Sequence, residues 1–334
     1  MKSTCSGALG GHEAVIVLKG ATKPVVADVT DPAHPRTICT LSGTWQPQLV
    51  TQSTISWWAT ENRGSAGQSV IVSLSLITGT SAVVASWAGG ATLDGLSAWS
   101  PDLSSIAYLT SDASAVTLHL LSGGGDRVVG TLGAVPGRGA NPVEDDAFLG
   151  FSPDGHYFAL VQTFTSTGAH LQVRRTSDGA AVYSQANGTM AAWASSGSKL
   201  YFRSVGSSAV KVWTPTGGAT QAFAQAAAWI SPETDPGDDY IAYTVRDSGG
   251  IPHVWTYGHD GRAGGELPNV RSGAVFLNAE TIFMLEEAPC GTTCGPGPAT
   301  QPDGKTFTFS LATQTETASN IMWIYGTWPR LGQK

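Results

Sequence analysis

The side chains best suited to do chemistry in this 334-residue chain are few and widely spaced. The densest group is Glu144-Asp145-Asp146, just after Asn141-Pro142-Val143. Three consecutive carboxylates repel one another, and a bound cation or cationic ligand would relieve that repulsion. Solvation of a bland acidic loop relieves it too, so the run has two readings. Taken with Asp94, these residues are the candidate metal ligands, for calcium or zinc. His170 and His253, with Glu144, are the candidate acid–base groups. Trp45, Arg138, Arg271 and Asp247 are the candidate ligand contacts, and Glu286 is a further charged neighbour.

Familiar catalytic signatures are missing. There is no Gly-x-Ser-x-Gly nucleophile elbow and no phosphate-binding Gly-x4-Gly-Lys-Ser/Thr loop. Gly137-Arg138-Gly139 is too short for a dinucleotide fingerprint, and His12-Glu13 lacks the second histidine of a zinc-protease helix. The net charge of −7 argues against a phosphate grip on nucleic acid, so no nucleic-acid partner is expected. The apolar stretch Ala14 to Leu18 is far short of the ~20 residues of a spanning helix. No apolar segment of signal-peptide type follows Met1-Lys2.

Cys5, Cys39, Cys290 and Cys294 allow three disulfide pairings. Cys290-Gly-Thr-Thr-Cys294 could close a small ring, which would leave Cys5 for Cys39; free thiols and a metal site are the alternatives. Disulfides and a charged content of only 13% point outside the cytosol. An extracytoplasmic, periplasmic or secreted protein is expected, with any signal segment outside this chain, and a monomer.

The elements that must carry these residues are strands. Val70-Ile71-Val72-Ser73-Leu74-Ser75-Leu76 and Lys305-Thr306-Phe307-Thr308-Phe309-Ser310-Leu311 alternate with period two. Such runs are bounded by Gly, Pro, Ser and Asp, and Gly 41 with Pro 18 punctuates the chain densely. A unit then recurs. Ala98-Trp99-Ser100-Pro101-Asp102 precedes Ile106-Ala107-Tyr108, and Gly150-Phe151-Ser152-Pro153-Asp154-Gly155 precedes Tyr157-Phe158-Ala159. Ala192-Trp193-Ala194-Ser195 precedes Leu200-Tyr201-Phe202, and Ala228-Trp229-Ile230-Ser231-Pro232 precedes Tyr240-Ile241-Ala242. Weaker copies lie near Leu49 and Phe276. A third strand, a Gly-containing turn and an edge strand complete each unit.

An apolar residue, Ser-Pro-Asp-Gly and an Ile-Ala-Tyr-like strand resemble the TolB-like, or WD40-like, β-propeller repeat. The resemblance covers about residues 45–310. It implies an all-β propeller of four-stranded antiparallel blades. Seven blades are expected, with six as the alternative, in one domain spanning 1–334. The blades would be 10–44 with 320–326, 45–90, 91–136, 143–187, 188–225, 226–270 and 271–318. The first 44 residues offer only three strands, so Ile321 to Tyr325 is expected to complete the first blade. Trp99, Trp193 and Trp229 recur at one position and are expected in the core between blades.

The resemblance also implies a binding site at the mouth of a central channel. The loops entering each first strand, and those joining second strands to third, would line it. His170 and His253 would start third strands, with Lys211 at the aligned place. The expected function is a ligand- or protein-binding module, for a small molecule, peptide or protein. The alternative is a metal-dependent hydrolase of the phosphotriesterase, lactonase or esterase type. The ligand set of the six-bladed calcium hydrolases matches no motif here, so none of its residues carries over. Asp235-Pro236-Gly237-Asp238-Asp239 could be a calcium loop or a plain turn.

Overall fold

The computed structural model describes residues 9–41, 45–51, 53–63, 66–88, 92–111, 116–132, 148–162, 170–195, 197–207, 209–223, 233–258, 264–290 and 300–327. Every regular element among them is a strand. The strands form seven four-stranded antiparallel sheets, so the fold is a β-propeller of seven blades rather than six. The chain divides into two compact units, Met1–Trp57, Ser73–Ala82 and Ala226–Lys334 in one, Trp58–Val72 and Val83–Gln225 in the other.

The first unit holds three whole sheets. In the first sheet the order is Ile321–Thr327, Glu13–Leu18, Val25–Asp28, Arg36–Thr40. The C-terminal strand therefore fills the place that the N-terminal segment leaves open. Ile321 pairs with Leu18 and Ile324 with Ile16, and two register shifts interrupt the ladder. Ile321 is fully buried with Ala14, Ile16, Val29, Leu277 and Phe283. The sixth sheet is Glu233–Thr234, Tyr240–Arg246, Pro252–Gly258 and Gly265–Glu266. The seventh is Arg271–Phe276, Thr281–Pro289, Thr300–Ser310 and Thr315–Ala318. Val254, Phe276, Ile282, Met284 and Phe309 join these two sheets in one core.

The second unit holds the third, fourth and fifth sheets. The third is Thr92–Trp99, Ser105–Ser111, Val116–Ser122 and Gly125–Thr131. The fourth is Phe148–Phe151, Tyr157–Gln162, His170–Arg175 and Ala181–Ala186, and the fifth is Gly188–Trp193, Leu200–Ser204, Val210–Thr214 and Gly218–Phe223. The second sheet, Trp45–Thr51, Thr54–Arg63, Ala66–Ser75 and Ser81–Ala88, divides its residues between the units. Period two is visible in the burial. Val116, Leu118 and Leu120 are buried, while Thr117 and His119 between them are not. Trp193 is half-buried, donates from Nε1 to the Gly150 carbonyl at 2.9 Å and meets Trp213 edge-on. Trp99 packs beside Trp87 and Tyr108.

One turn fixes the register of the repeat. The backbone N–H of Ser100, Ser152, Ala194 and Asp235 donates to the carbonyl five residues on, at 2.8, 2.9, 2.8 and 3.2 Å. The residue three places after each has positive φ: Leu103, Gly155, Gly197 and Asp238. Asp235 thus stands where the serines of Ser-Pro-Asp stand, and Thr234 stands where Trp99 and Trp193 do. This corrects the alignment that put Ser231-Pro232 and Trp229 there. Ser231 would need Thr234 at positive φ, which a β-branched residue resists, whereas Asp238 tolerates it. Trp229 itself lies outside the described residues. Asp235 is a turn cap. Its carboxylate accepts the N–H groups of Gly237, Asp239 and Tyr240 at 2.9, 2.6 and 2.6 Å.

Candidate functional site

Counting from that turn locates the histidines. Gln162 and Val245 are each five residues past the residue that closes the turn, and their partners are His170 and His253. The two histidines are therefore equivalent, as the repeat predicts. Lys211 is not aligned with them. It pairs with Phe202, the place of Leu160, whose partner is Gln172. Both histidines reach across to the fourth strand of their own sheet. His170 Nε2 lies 2.7 Å from Ser184 Oγ, and His253 Nδ1 lies 2.6 Å from Glu266 Oε1. Ser184 opposes Gln172, and Glu266 opposes Trp255, so the two diagonal pairs are the same pair in two blades.

Several candidates meet at one end of the sixth and seventh sheets, where second strands run into third strands; we call this the loop end. His253 Nε2 lies 3.6 Å from Asp247 Oδ2, and Asp247 and Glu266 are 44% and 45% exposed. Asp247 also accepts the N–H groups of Gly249 and Ile251 at 2.8 and 2.9 Å. These bonds, that of Ile251 foremost, hold its carboxyl below the usual range.

Arg271 is buried, and its donors are engaged. Nε and Nη2 donate to the two oxygens of Glu316 at 3.1 and 2.8 Å, and Nη1 donates to the Val270 carbonyl at 3.0 Å. The guanidinium also sits 4.0 Å above the Phe307 ring. Glu286 is 3.6 Å from Arg271 and 3.0 Å from Lys305, which also pairs with Asp303. Asp303 and Glu286 raise the Lys305 ammonium above its ordinary range. A ligand contact to Arg271 would have to compete with Glu316.

Beneath this layer lies a group that no sequence motif marks. Glu287 is 7% exposed. Its Oε1 accepts from Ser272 Oγ at 2.6 Å, while the buried Oε2 has no hydrogen-bond partner. Arg246 Nη2 is 3.8 Å from Oε1, beyond hydrogen-bond reach, and Arg246 Nη1 donates to the Gly250 carbonyl and Thr300 Oγ1 at 2.8 and 3.3 Å. A signal existed in the sequence. Glu286-Glu287 ends an apolar strand, and period two cannot turn both carboxylates outward. The ladder shifts register between Leu285 and Glu287, which reorients the second one.

In the other unit Gln162 Oε1, at the end of a second strand, and Thr189 Oγ1, near the start of a first strand, also lack hydrogen-bond partners. Ser56, Trp87 and Arg127, on strands, and Thr176, in a turn, carry such atoms too. Trp45 opens a first strand and Asp94 lies on another. Arg138, Glu144, Asp145 and Asp146 lie outside the described residues, as do Cys5 and Cys294. Among the described residues no three His, Cys, Asp or Glu side chains are grouped to hold a metal ion, no cysteine is free, and no helix is long and apolar enough to cross a membrane.

No protein-family model matches the sequence, and no curated protein sequence matches it. Solved structures match in fold. The β-propeller domain of the Trilobed protease from Pyrococcus furiosus is 9% identical with a TM-score of 0.52, covering 82% of each chain. Dipeptidyl peptidase 4 from Porphyromonas gingivalis is 12% identical with a TM-score of 0.51, over 94% of this chain and 58% of that one. TolB from Acinetobacter baumannii is 18% identical with a TM-score of 0.47, over 77% and 63%. The chain thus spans less than two thirds of TolB and of the dipeptidyl peptidase, and the likeness is one of fold.

Proposed function

We propose that the chain is an extracytoplasmic binding module of the TolB-like propeller kind, which takes a peptide, protein or small-molecule ligand at the loop end of its sixth and seventh sheets. The observation that carries this reading is the buried carboxylate oxygen left without a hydrogen-bond partner there, Glu287 Oε2. A folded domain leaves few such atoms, because each costs about 1–3 kcal/mol unless a ligand or water completes it. Exposed Asp247 and Glu266 at the same end would favour basic or polar partners. Disulfides joining Cys39 to Cys5 and Cys290 to Cys294 belong to the same proposal and suit an oxidising compartment. A calcium or zinc ion on Asp94, Glu144, Asp145 and Asp146 is the alternative ligand, tested by metal analysis before and after EDTA.

The test is selection of a random-sequence peptide display library on the immobilised full chain. Selected peptides should lose about tenfold in affinity when Asp247→Asn and Glu266→Gln are combined. They should keep their affinity when Asp178→Asn changes a turn at the opposite end. Selection of no peptide, or dependence on Asp178 instead, would overturn the reading.

A further inference from the structure

We infer that Arg246 and Glu287 form a recognition pair for an uncharged primary carboxamide, the group that an asparagine or glutamine side chain presents. The inference deepens the binding reading above and rests on it. Three observations carry it. Glu287 is more than nine-tenths buried and offers one carboxylate oxygen, Oε2, that accepts nothing. Arg246 lies beside it with Nη1 committed to Gly250 and Thr300, while Nη2 makes no hydrogen bond among the described residues. The two groups stand 3.8 Å apart, close enough to balance charge and too far to satisfy one another by a hydrogen bond.

The ligand class follows from that arrangement. Arg246 and Glu287 cancel formally, so the pair favours neither a cation nor an anion. It offers an acceptor in Glu287 Oε2 and a donor in Arg246 Nη2. A primary carboxamide supplies the complement: its N–H on the same side as the carbonyl donates to Glu287 Oε2 and its carbonyl accepts from Arg246 Nη2, whereas a trans backbone amide points the two groups in opposite directions. Ser272, which donates to Oε1, and Thr300, which accepts from Arg246 Nη1, hold both groups in place. Arg246 keeps 19% of its side chain exposed against 3% for Glu287, so the approach is from the arginine side.

The probe is N-acetylglycinamide, titrated into the full chain while backbone amide shifts are followed by NMR. Saturable shifts at residues 246 and 285–288 are expected, with a Kd on the order of 10 mM. Arg246→Lys keeps the charge and loses the planar fork, and Glu287→Gln keeps the shape and loses the carboxylate. Each should weaken the probe about tenfold. Absence of saturable shifts there would overturn the inference, as would equal shifts with guanidinium or acetate, which would mean recognition of charge. A single ordered water on Oε2 that persists at saturating probe would also overturn it. If display-selected peptides bind and depend on Asp247 while both variants bind the probe like the parent, the amide site fails and the binding module stands.

Discussion

Asp28 and Asp235 both cap turns, yet they face pH with opposite sign. Asp28 accepts the hydroxyl of Thr30 at 2.6 Å, its N–H at 2.9 Å and a guanidinium N–H of Arg36 at 2.9 Å. These bonds, the Thr30 hydroxyl foremost, lower its carboxyl to about 2. A lowered folded value gives stability that is present above the unfolded value near 4 and lost as pH falls toward 2. Asp235 is fully buried, and burial raises its carboxyl despite three N–H donors. A raised value means that ionisation opposes folding, so its contribution improves as pH falls through that value. Urea unfolding of the two asparagine variants between pH 7 and pH 2 separates the signs. Asp28→Asn should cost about 1 kcal/mol at pH 7 after screening and lose the difference toward pH 2. Asp235→Asn, whose Nδ2 cannot accept the Gly237 N–H, should fall further behind the parent as pH drops, because the parent gains stability through that raised value. Parallel profiles for both variants would contradict these assignments.

At the scale of elements, the fourth strand of the sixth sheet is the weak point. Gly265–Glu266 has two residues, paired with Trp255 and Thr256. His253 pins it through Glu266, and Leu267 N donates to the Val254 carbonyl at 2.8 Å. The equivalent strand of the fourth sheet, Ala181–Ala186, pairs along most of its six residues and depends far less on His170. His253→Leu should therefore release protection from hydrogen exchange at residues 265–267, worth up to about 1 kcal/mol for a half-exposed pair. His170→Leu should leave 181–186 protected. Equal losses in the two strands would mean that the histidines carry more than local pairing. The equivalence of the histidines was legible from the sequence, because period two and the turn spacing fix cross-strand partners. The register of the sixth sheet was not, because Ser231-Pro232 imitates the turn and only the need for positive φ at the fourth place selects Asp235. Glu287 was half legible. Adjacent carboxylates on a strand oblige one to face inward, but its pairing with Ser272 and Arg246 depends on a bulge and on the neighbouring sheet.

At the scale of the whole molecule, one strand decides whether the first sheet exists. The N-terminal segment supplies three strands and leaves the long edge of Glu13–Leu18 open, where Ile321–Thr327 completes it. The terminal strand brings Ile321, fully buried, into a core that also holds Ala14, Ile16, Leu277 and Phe283. The same segment is tied back by Thr306, whose hydroxyl donates to the Ser319 and Ile321 carbonyls at 3.1 and 2.6 Å. Removing residues 320–334 strips the edge of Glu13–Leu18 and opens that shared core. Loss of one buried isoleucine alone costs about 2–5 kcal/mol, and loss of the ladder adds to it. The truncated chain should lose hydrogen-exchange protection at residues 14–18 and, through Leu277 and Phe283, in part at 277–284. A synthetic peptide of residues 319–327 should restore it in trans, because the first sheet accepts that strand as a separate partner in register. Ile321→Ala in the full chain should give a milder loss at the same residues, and Trp323→Ala, on a side chain 51% exposed, should give almost none. Undiminished protection at 14–18 after truncation would show that the first sheet stands on three strands, and the closing role of the C-terminal strand would fall.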